Sequence, residues 1–235
     1  MNVVNKNFDI RIINLGLVDY KKASKIQSRI YDFKAKAKLG SISKFKNGTS
    51  IPDFLIICQH PHVYTIGKNG INDNLLVDEA FLKSNKIKFY DTNRGGDITY
   101  HGPGQIVLYP ILDLEKLHID IGKYLRFLED CVIETLNEFK IIGLKLNGFT
   151  GVWVKIDNRL SKICSIGIKI SKFITTHGLA LNVNNDLKYF EYIVPCGIKN
   201  VRITSVKEIL GKHIDIDLVA DRLREHTVRK LSSSF

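Results

Sequence analysis

The stretch "GVWVKIDNRLSKICSIGIKISKFITTHGLALNV", residues 151–183, decides the fold. Three runs in it, 151–156, 162–170 and 173–183, are rich in Val, Ile, Thr and aromatic residues and read as strands. Between them, 157–159 and the pair Ser171-Lys172 read as short connections of the kind that make hairpins. Strands joined this way run antiparallel. Working outward, 8–16, 53–59, 62–67, 86–92 and 105–114 read as further strands. Asp19 caps a helix to about Leu39, with Ala23, Ile26, Ile30, Phe33 and Ala37 on one face. Asp78 caps a short helix to about Ser84. Asp120 opens a longer one, whose stripe of Ile121, Leu125, Leu128, Val132, Leu136 and Phe139 follows the 3.6-residue period. Ser205 and Glu208 stand at capping-box spacing, and Asp217 caps a last helix to about Leu231. Helices and strands without strict βαβ alternation predict an α+β fold, a mixed sheet with flanking helices. The expected organisation is one domain over 1–235, with a small C-terminal subdomain from about Ser205.

The longest apolar runs, such as "FLIIC" at 54–58, fall far short of the ~20 residues that span a bilayer. The first residues lack the basic, apolar, small order of a secretory signal, so a cytoplasmic location without a membrane partner is expected. Four scattered cysteines, Cys58, Cys131, Cys164 and Cys196, form no C-x-x-C pair. Net charge is +11, and residues 21–46 carry nine Lys or Arg against the single acid Asp32. Such a segment favours an acidic partner or is a solvated helix face. Nucleic-acid binding is not expected, because Tyr31, Phe33 and Phe45 are too few to interleave with the basic residues.

Four stretches are candidates for chemistry. In 162–170, strict alternation puts Lys162 on the apolar face of Cys164, Ile166, Ile168 and Ile170. In 173–183 it puts His177 on the face of Phe173, Leu179, Leu181 and Val183. The pattern leaves open that Lys162 snorkels out and that His177 is a satisfied core histidine. In "VPCGI", 194–198, proline fixes the chain before Cys196 and glycine frees it after, which suits a nucleophile and is equally compatible with a structural thiol. "RGGDITYHGPGQIVLYP", 94–110, is a glycine-rich loop running into a strand, fit for close backbone approach to a ligand. It is neither a Walker P-loop nor a dinucleotide fingerprint. Cys58, His60 and His62 alternate, but they lack the spacing and further ligand of a zinc site, so no metal is expected.

Together, "RGGDITYHGPGQIVLYPILDL", "GVWV", "KICSIGIKI", "THGLALNV" and "VPCG" closely resemble the octanoyltransferase (lipoyl(octanoyl) transferase) family of lipoate biosynthesis, over about Leu15 to Leu210. The resemblance implies the fold of the biotin/lipoate protein ligase catalytic domain. It implies an enzyme that moves octanoyl from octanoyl-acyl carrier protein, through a cysteine thioester, to a lysine of lipoyl domains, with no cofactor. By the same resemblance Cys196 is the nucleophile and Lys162 lowers its pKa. The substrate is held by Arg94, Gly95, Gly96, Asp97, Ile98, Thr99, Tyr100 and His101, by Ser165, Ile166 and Gly167, and by Gly178, Leu179 and Ala180. Gln59, His62, Asp97, Cys164 and Ser165 depart from the common pattern, and none of these changes removes a presumed catalytic group. The alternatives are an ATP-dependent lipoate-protein ligase of the same fold and a basic nucleic-acid-binding module.

Overall fold

The computed structural model describes residues 4–5, 8–41, 51–195 and 201–233. In chain order the elements are β1 (Val4–Asn5), β2 (Phe8–Leu17), α1 (Tyr20–Lys38), β3 (Asp53–Gln59), β4 (Val63–Ile66), α2 (Glu79–Ser84), β5 (Lys88–Asp91), β6 (Thr99–His101), β7 (Gln105–Ile111), α3 (Ile121–Glu138), β8 (Leu144–Leu146), β9 (Phe149–Ile156), β10 (Arg159–Ser171), β11 (Ile174–Asn182), β12 (Arg202–Ile203), α4 (Val206–Leu210) and α5 (Ile216–Ser233). The fold is α+β, as the strand-and-helix pattern predicts.

The main sheet runs β1-β2-β3-β7-β11-β10-β9-β8, with β12 added beside β10; β5-β4-β6 form a small second sheet. The main sheet is mixed: β2 with β3 and β10 with β12 are parallel, and the other pairs are antiparallel. Residues alternate between its two faces. Leu55, Ile57, Ile106, Leu108, Leu179 and Leu181 meet α3 and α5 in the larger core. Phe54, Ile56, Val107, Tyr109 and Ala180 pack on the side of α1. A third cluster joins Tyr64, Ile98 and Tyr100 of the small sheet and its approach to Phe190 in a 3-10 turn, 187–192.

Asp19, Asp78, Asp120 and Ser205 cap their helices, each accepting from a backbone N–H of the first turn. For α5 the capping carboxylate is that of Asp215, which accepts from Asp217 N at 3.0 Å. Asp217 lies inside the first turn. Both hairpin turns of the 151–183 stretch have two central residues with positive φ. These are Asp157 and Asn158 (+47°, +60°), then Lys172 and Phe173 (+51°, +62°). The second turn therefore lies one residue later than Ser171-Lys172. Ser171 pairs with Ile174, and Phe173 stands exposed in the turn instead of on a core face.

Two further departures from alternation shape the site. At Lys162–Cys164, β10 has an extra residue opposite Val152–Trp153 of β9, a β-bulge. Ile163 and Cys164 consequently both face the larger core. Lys162 shares the opposite face with its partner Trp153, not the face of Cys164. At His177 a φ of +58° turns the side chain away from the face of Leu179 and Leu181, toward the side of α1. A bulge and a left-handed residue are what a period-2 reading of sequence cannot register.

Candidate active site

The loop 94–98 and strand β6 are laid over the α1 side of β10 and β11. The Arg94 guanidinium anchors the loop, donating from Nη2 to Thr65 O (2.6 Å) and Thr65 Oγ1 (3.0 Å). Gly67, Lys68 and Asn69 donate their backbone N–H groups to Asp97 O, Arg94 O and Gly96 O. Gly95 N donates to Ile168 O at 2.8 Å and ties the loop directly to β10. Gly96 has φ +82°, a conformation costly for any side chain. On the sheet below, a Cβ at Gly178 would stand 2.1 Å from Leu108 O, so only glycine lets β11 lie this close to β7.

Between loop and sheet runs a narrow slot of about 50 Å³. Of the residues singled out in the sequence, Arg94, Gly96, Asp97, Ile98, Thr99, His101, Ser165, Ile166, Gly167, Gly178, Leu179 and Ala180 line it. Gly95 and Tyr100 do not. Gly95 spends its N–H on β10, and Tyr100 is turned into the third cluster, where its hydroxyl meets His62 Nδ1 at 2.7 Å and its ring stacks on Tyr189. Tyr20, Val107, Tyr109 and His177 complete the lining. The sequence reading did not place Tyr20 or Tyr109 here. Tyr20 is the first residue of α1, aimed inward where its ring stacks on Tyr90 and His101, and nothing local marks that.

The polar groups of the slot are mostly spoken for. His101 Nδ1 donates to Gln105 Oε1 (2.8 Å). Burial, with repulsion from His60, pulls the His101 pKa down to about 3. His177 Nε2 donates to Asn93 Oδ1 (2.9 Å), and burial, with repulsion from Arg94, pulls its pKa down to about 4. Both imidazoles are neutral near pH 7. Asp97 accepts from Ile98 N and from the Asn74 amide, which fixes the loop. His60 donates from Nδ1 to Val18 O (2.7 Å), and its Nε2 accepts from the Tyr109 hydroxyl (2.8 Å). Cys58 Sγ lies 3.6 Å from His60 Nε2, while His62 is engaged elsewhere, against Tyr100.

Lys162 stands at the start of the same sheet face, buried, with Nζ 5.2 Å from the Trp153 ring centroid, a cation–π distance. Ile203 of β12 pairs with it, and Thr204 N donates to Lys162 O at 3.0 Å. Cys196 lies outside the described residues. The chain leaves them at Pro195, after Val194 N has donated to Asn74 O, and it re-enters at Val201, one residue before β12. Burial pushes the other three thiols, Cys58, Cys131 and Cys164, each up to about 12. Among the described residues no helix is long and apolar enough to cross a membrane.

The Lipoyl protein ligase A/B catalytic domain matches residues 42–228. An octanoyltransferase of Cytophaga hutchinsonii is 44% identical over 225 residues, covering 94% of this chain and 92% of the relative. That of Christiangramia forsetii is 46% identical over 227 residues, covering 95% of each. The chain belongs to the octanoyltransferase family. It is thereby an enzyme of the acyltransferase class, in lipoate biosynthesis. Solved structures of similar fold include a bipartite lipoate protein ligase of Thermoplasma acidophilum. That structure superposes with a TM-score of 0.70 at 18% identity, covering 95% of this chain and 84% of its own. A lipoate-protein ligase A bound with ATP gives 0.65 at 19%, covering 96% and 85%. At these identities the two structures establish the shared fold alone.

Proposed function

We propose that the enzyme transfers octanoyl from octanoyl-acyl carrier protein to a lysine of lipoyl domains through a thioester on Cys196, in the cytoplasm. The observation that supports this reading is the bulge in β10, which turns Lys162 to the Trp153 face of the sheet, the side on which the slot lies. The slot supplies a site for the acyl chain, though at about 50 Å³ its walls must part to admit one; ligand sites usually run to ~300 Å³ or more. Cys196 is the thiol left once burial has taken Cys58, Cys131 and Cys164 out of thiolate range.

In the first half-reaction the Cys196 thiolate attacks the carrier thioester carbonyl. A carbon–sulfur bond forms to Cys196, and the carrier's sulfur leaves and takes up a proton. In the second, the amine of the acceptor lysine attacks the octanoyl-enzyme, a carbon–nitrogen bond forms, and Cys196 sulfur leaves. As the ammonium, Lys162 favours the thiolate and gives its proton to the departing carrier sulfur in the first step; the free amine so formed takes the proton of the attacking amine in the second. Arg94, Gly95, Gly96, Asp97, Ile98, Thr99, Tyr100 and His101 hold the chain together with 165–167 and 178–180, Gly95 and Tyr100 acting through the loop's anchorage. Intact-mass spectrometry after mixing with octanoyl-acyl carrier protein is expected to give one octanoyl adduct, labile to hydroxylamine. It should map to Cys196, be absent in Cys196→Ser and persist in Cys164→Ala. An adduct on Cys164, or transfer that needs ATP, overturns the reading.

Carrier proteins are acidic partners by this reading, and the structure narrows which basic residues can meet one. Lys34 is buried against Asp53, and Lys38 is paired with Asp113 and Glu115, so neither is a free surface charge. Lys44 and Lys46 lie outside the described residues. Lys22, Lys25, Arg29 and Lys36 are exposed, and their helical spacing puts them on one stripe of α1. Reversing Lys25, Arg29 and Lys36 to Glu is expected to lower kcat/KM for octanoyl-acyl carrier protein about tenfold at low ionic strength. A small octanoyl thioester should be unaffected. Equal kcat/KM for the carrier substrate in the variant and its parent removes the stripe from the encounter.

A further inference from the structure

Next to the slot lies a second, larger cavity of about 320 Å³, between α1, residues 90–93 and the turn end of the β10–β11 hairpin. Its walls are mixed, with Ser24, Gln27, Ser28, Asn93, Lys169 and Thr176 beside the rings of Tyr31 and Tyr90. The two cavities share two wall residues, Tyr20 and His177.

The strand register orders the parts along one line. Lys162 opens β10. The slot follows at Ser165–Gly167, opposite Gly178–Ala180. Ile168 is then opposite His177, and Lys169 opposite Thr176, at the second cavity. From Ser165 to Ile168 is three residues, about 10 Å of strand, comparable with an extended eight-carbon chain. A chain whose carbonyl lies at the Lys162 end therefore points its methyl end at His177.

We infer that His177, with Tyr20 across from it, is the end wall of the acyl channel and limits the length of the acyl chain. The inference rests on the octanoyl-enzyme reading above. The wall is built and held in place. His177 has φ +58°, an unfavourable conformation for a residue with a side chain, which turns the ring off its strand face and into the line of the channel. Its Nε2 donates to Asn93 Oδ1, and its backbone N–H donates to Gln27 Oε1 of α1 at 2.9 Å. Selection against long chains thus comes from the ring that stands in the way, held by Asn93 and Gln27.

Glycine is the replacement that relieves the φ and removes the ring. Asparagine tolerates the same φ and shortens the side chain, which provides a second variant should glycine loosen the fold. Initial rates of adduct formation with octanoyl-, decanoyl- and dodecanoyl-acyl carrier protein give the length profile. The wild type is expected to favour octanoyl over dodecanoyl by at least about tenfold, since even single methylenes are discriminated at that level in shaped pockets. His177→Gly should bring the two within about threefold, with His177→Asn in between. Binding of free octanoate and dodecanoate to Cys196→Ser, with and without His177→Gly, is followed by thermal shift and needs no thiol chemistry. Adducts that form normally with an unchanged length profile in both folded variants overturn the wall. No adduct with any chain, alongside tighter dodecanoate binding in His177→Gly, overturns the thioester reading and leaves the wall standing.

Discussion

Lys162→Ala is expected to lower turnover of octanoyl-acyl carrier protein by about 10²–10⁴-fold, the usual worth of a positioned acid–base group. The expectation follows from where the bulge in β10 leaves this side chain. It is buried, on the slot face, beside Trp153, and β12 pairs with it just after the chain returns from Cys196. A purely structural lysine there would change stability without touching the chemistry. The test therefore reads a property that packing alone does not move, the pH midpoint of iodoacetamide alkylation at Cys196. Loss of a nearby cation should raise that midpoint, because a thiolate then forms only nearer its ordinary pKa of ~8.5. Lys162→Arg restores a positive charge and is expected to restore the midpoint in part. It should not restore turnover, since a guanidinium cannot accept a proton near neutral pH. Turnover and alkylation unchanged in both variants would remove Lys162 from both roles.

Much of this arrangement was legible in the sequence. The hairpins of 151–183, the strand at 53–59 and the helix opened by Asp120 follow from periodicity and caps, because each is local and has a side chain to announce it. The glycine-rich loop was recognisable as a place of close approach, and its backbone lies against β10. What could not be read has a common cause. Alternation assumes an unbroken strand, so it placed Lys162 with Cys164 and His177 with Leu179, and both assignments failed at a single irregular residue. Tyr20 enters the slot because α1 is packed on the sheet at one particular angle, which its own sequence does not encode. The basic segment hides a difference of the same kind. Its lysines look alike in sequence, and only a tertiary contact separates Lys34, at the base of β3, from Lys36, in solvent.

Lys34→Met is accordingly expected to act on stability, costing about 3–5 kcal/mol, the range for breaking a buried ion pair from one side. Lys34 and Asp53 are each 2% exposed, with Nζ to Oδ1 at 2.6 Å. Lys34 also donates to Pro52 O at 2.8 Å, so the ammonium fastens the last turns of α1 to the entry of β3. Asp53 Oδ1 further accepts from Asp113 N at 3.2 Å, which draws the end of β7 into the same knot. With the ammonium gone, the carboxylate keeps that one backbone donor and Lys116, whose Nζ is 3.9 Å away and partly solvated. Neither replaces a direct buried partner. The methionine has nearly the same volume, so the loss measures the stranded charge and not a cavity. Replacing both residues, as Lys34→Met with Asp53→Leu, removes the stranded charge and should recover most of the loss, because a well-packed apolar pair often matches a buried ion pair. Urea midpoints for the two single variants and the double variant close the cycle. Single variants within about 1 kcal/mol of the parent would mean that water or Lys116 already solvates the pair. A double variant no better than either single one would place the cost in the lost tie to Pro52 and not in the charge.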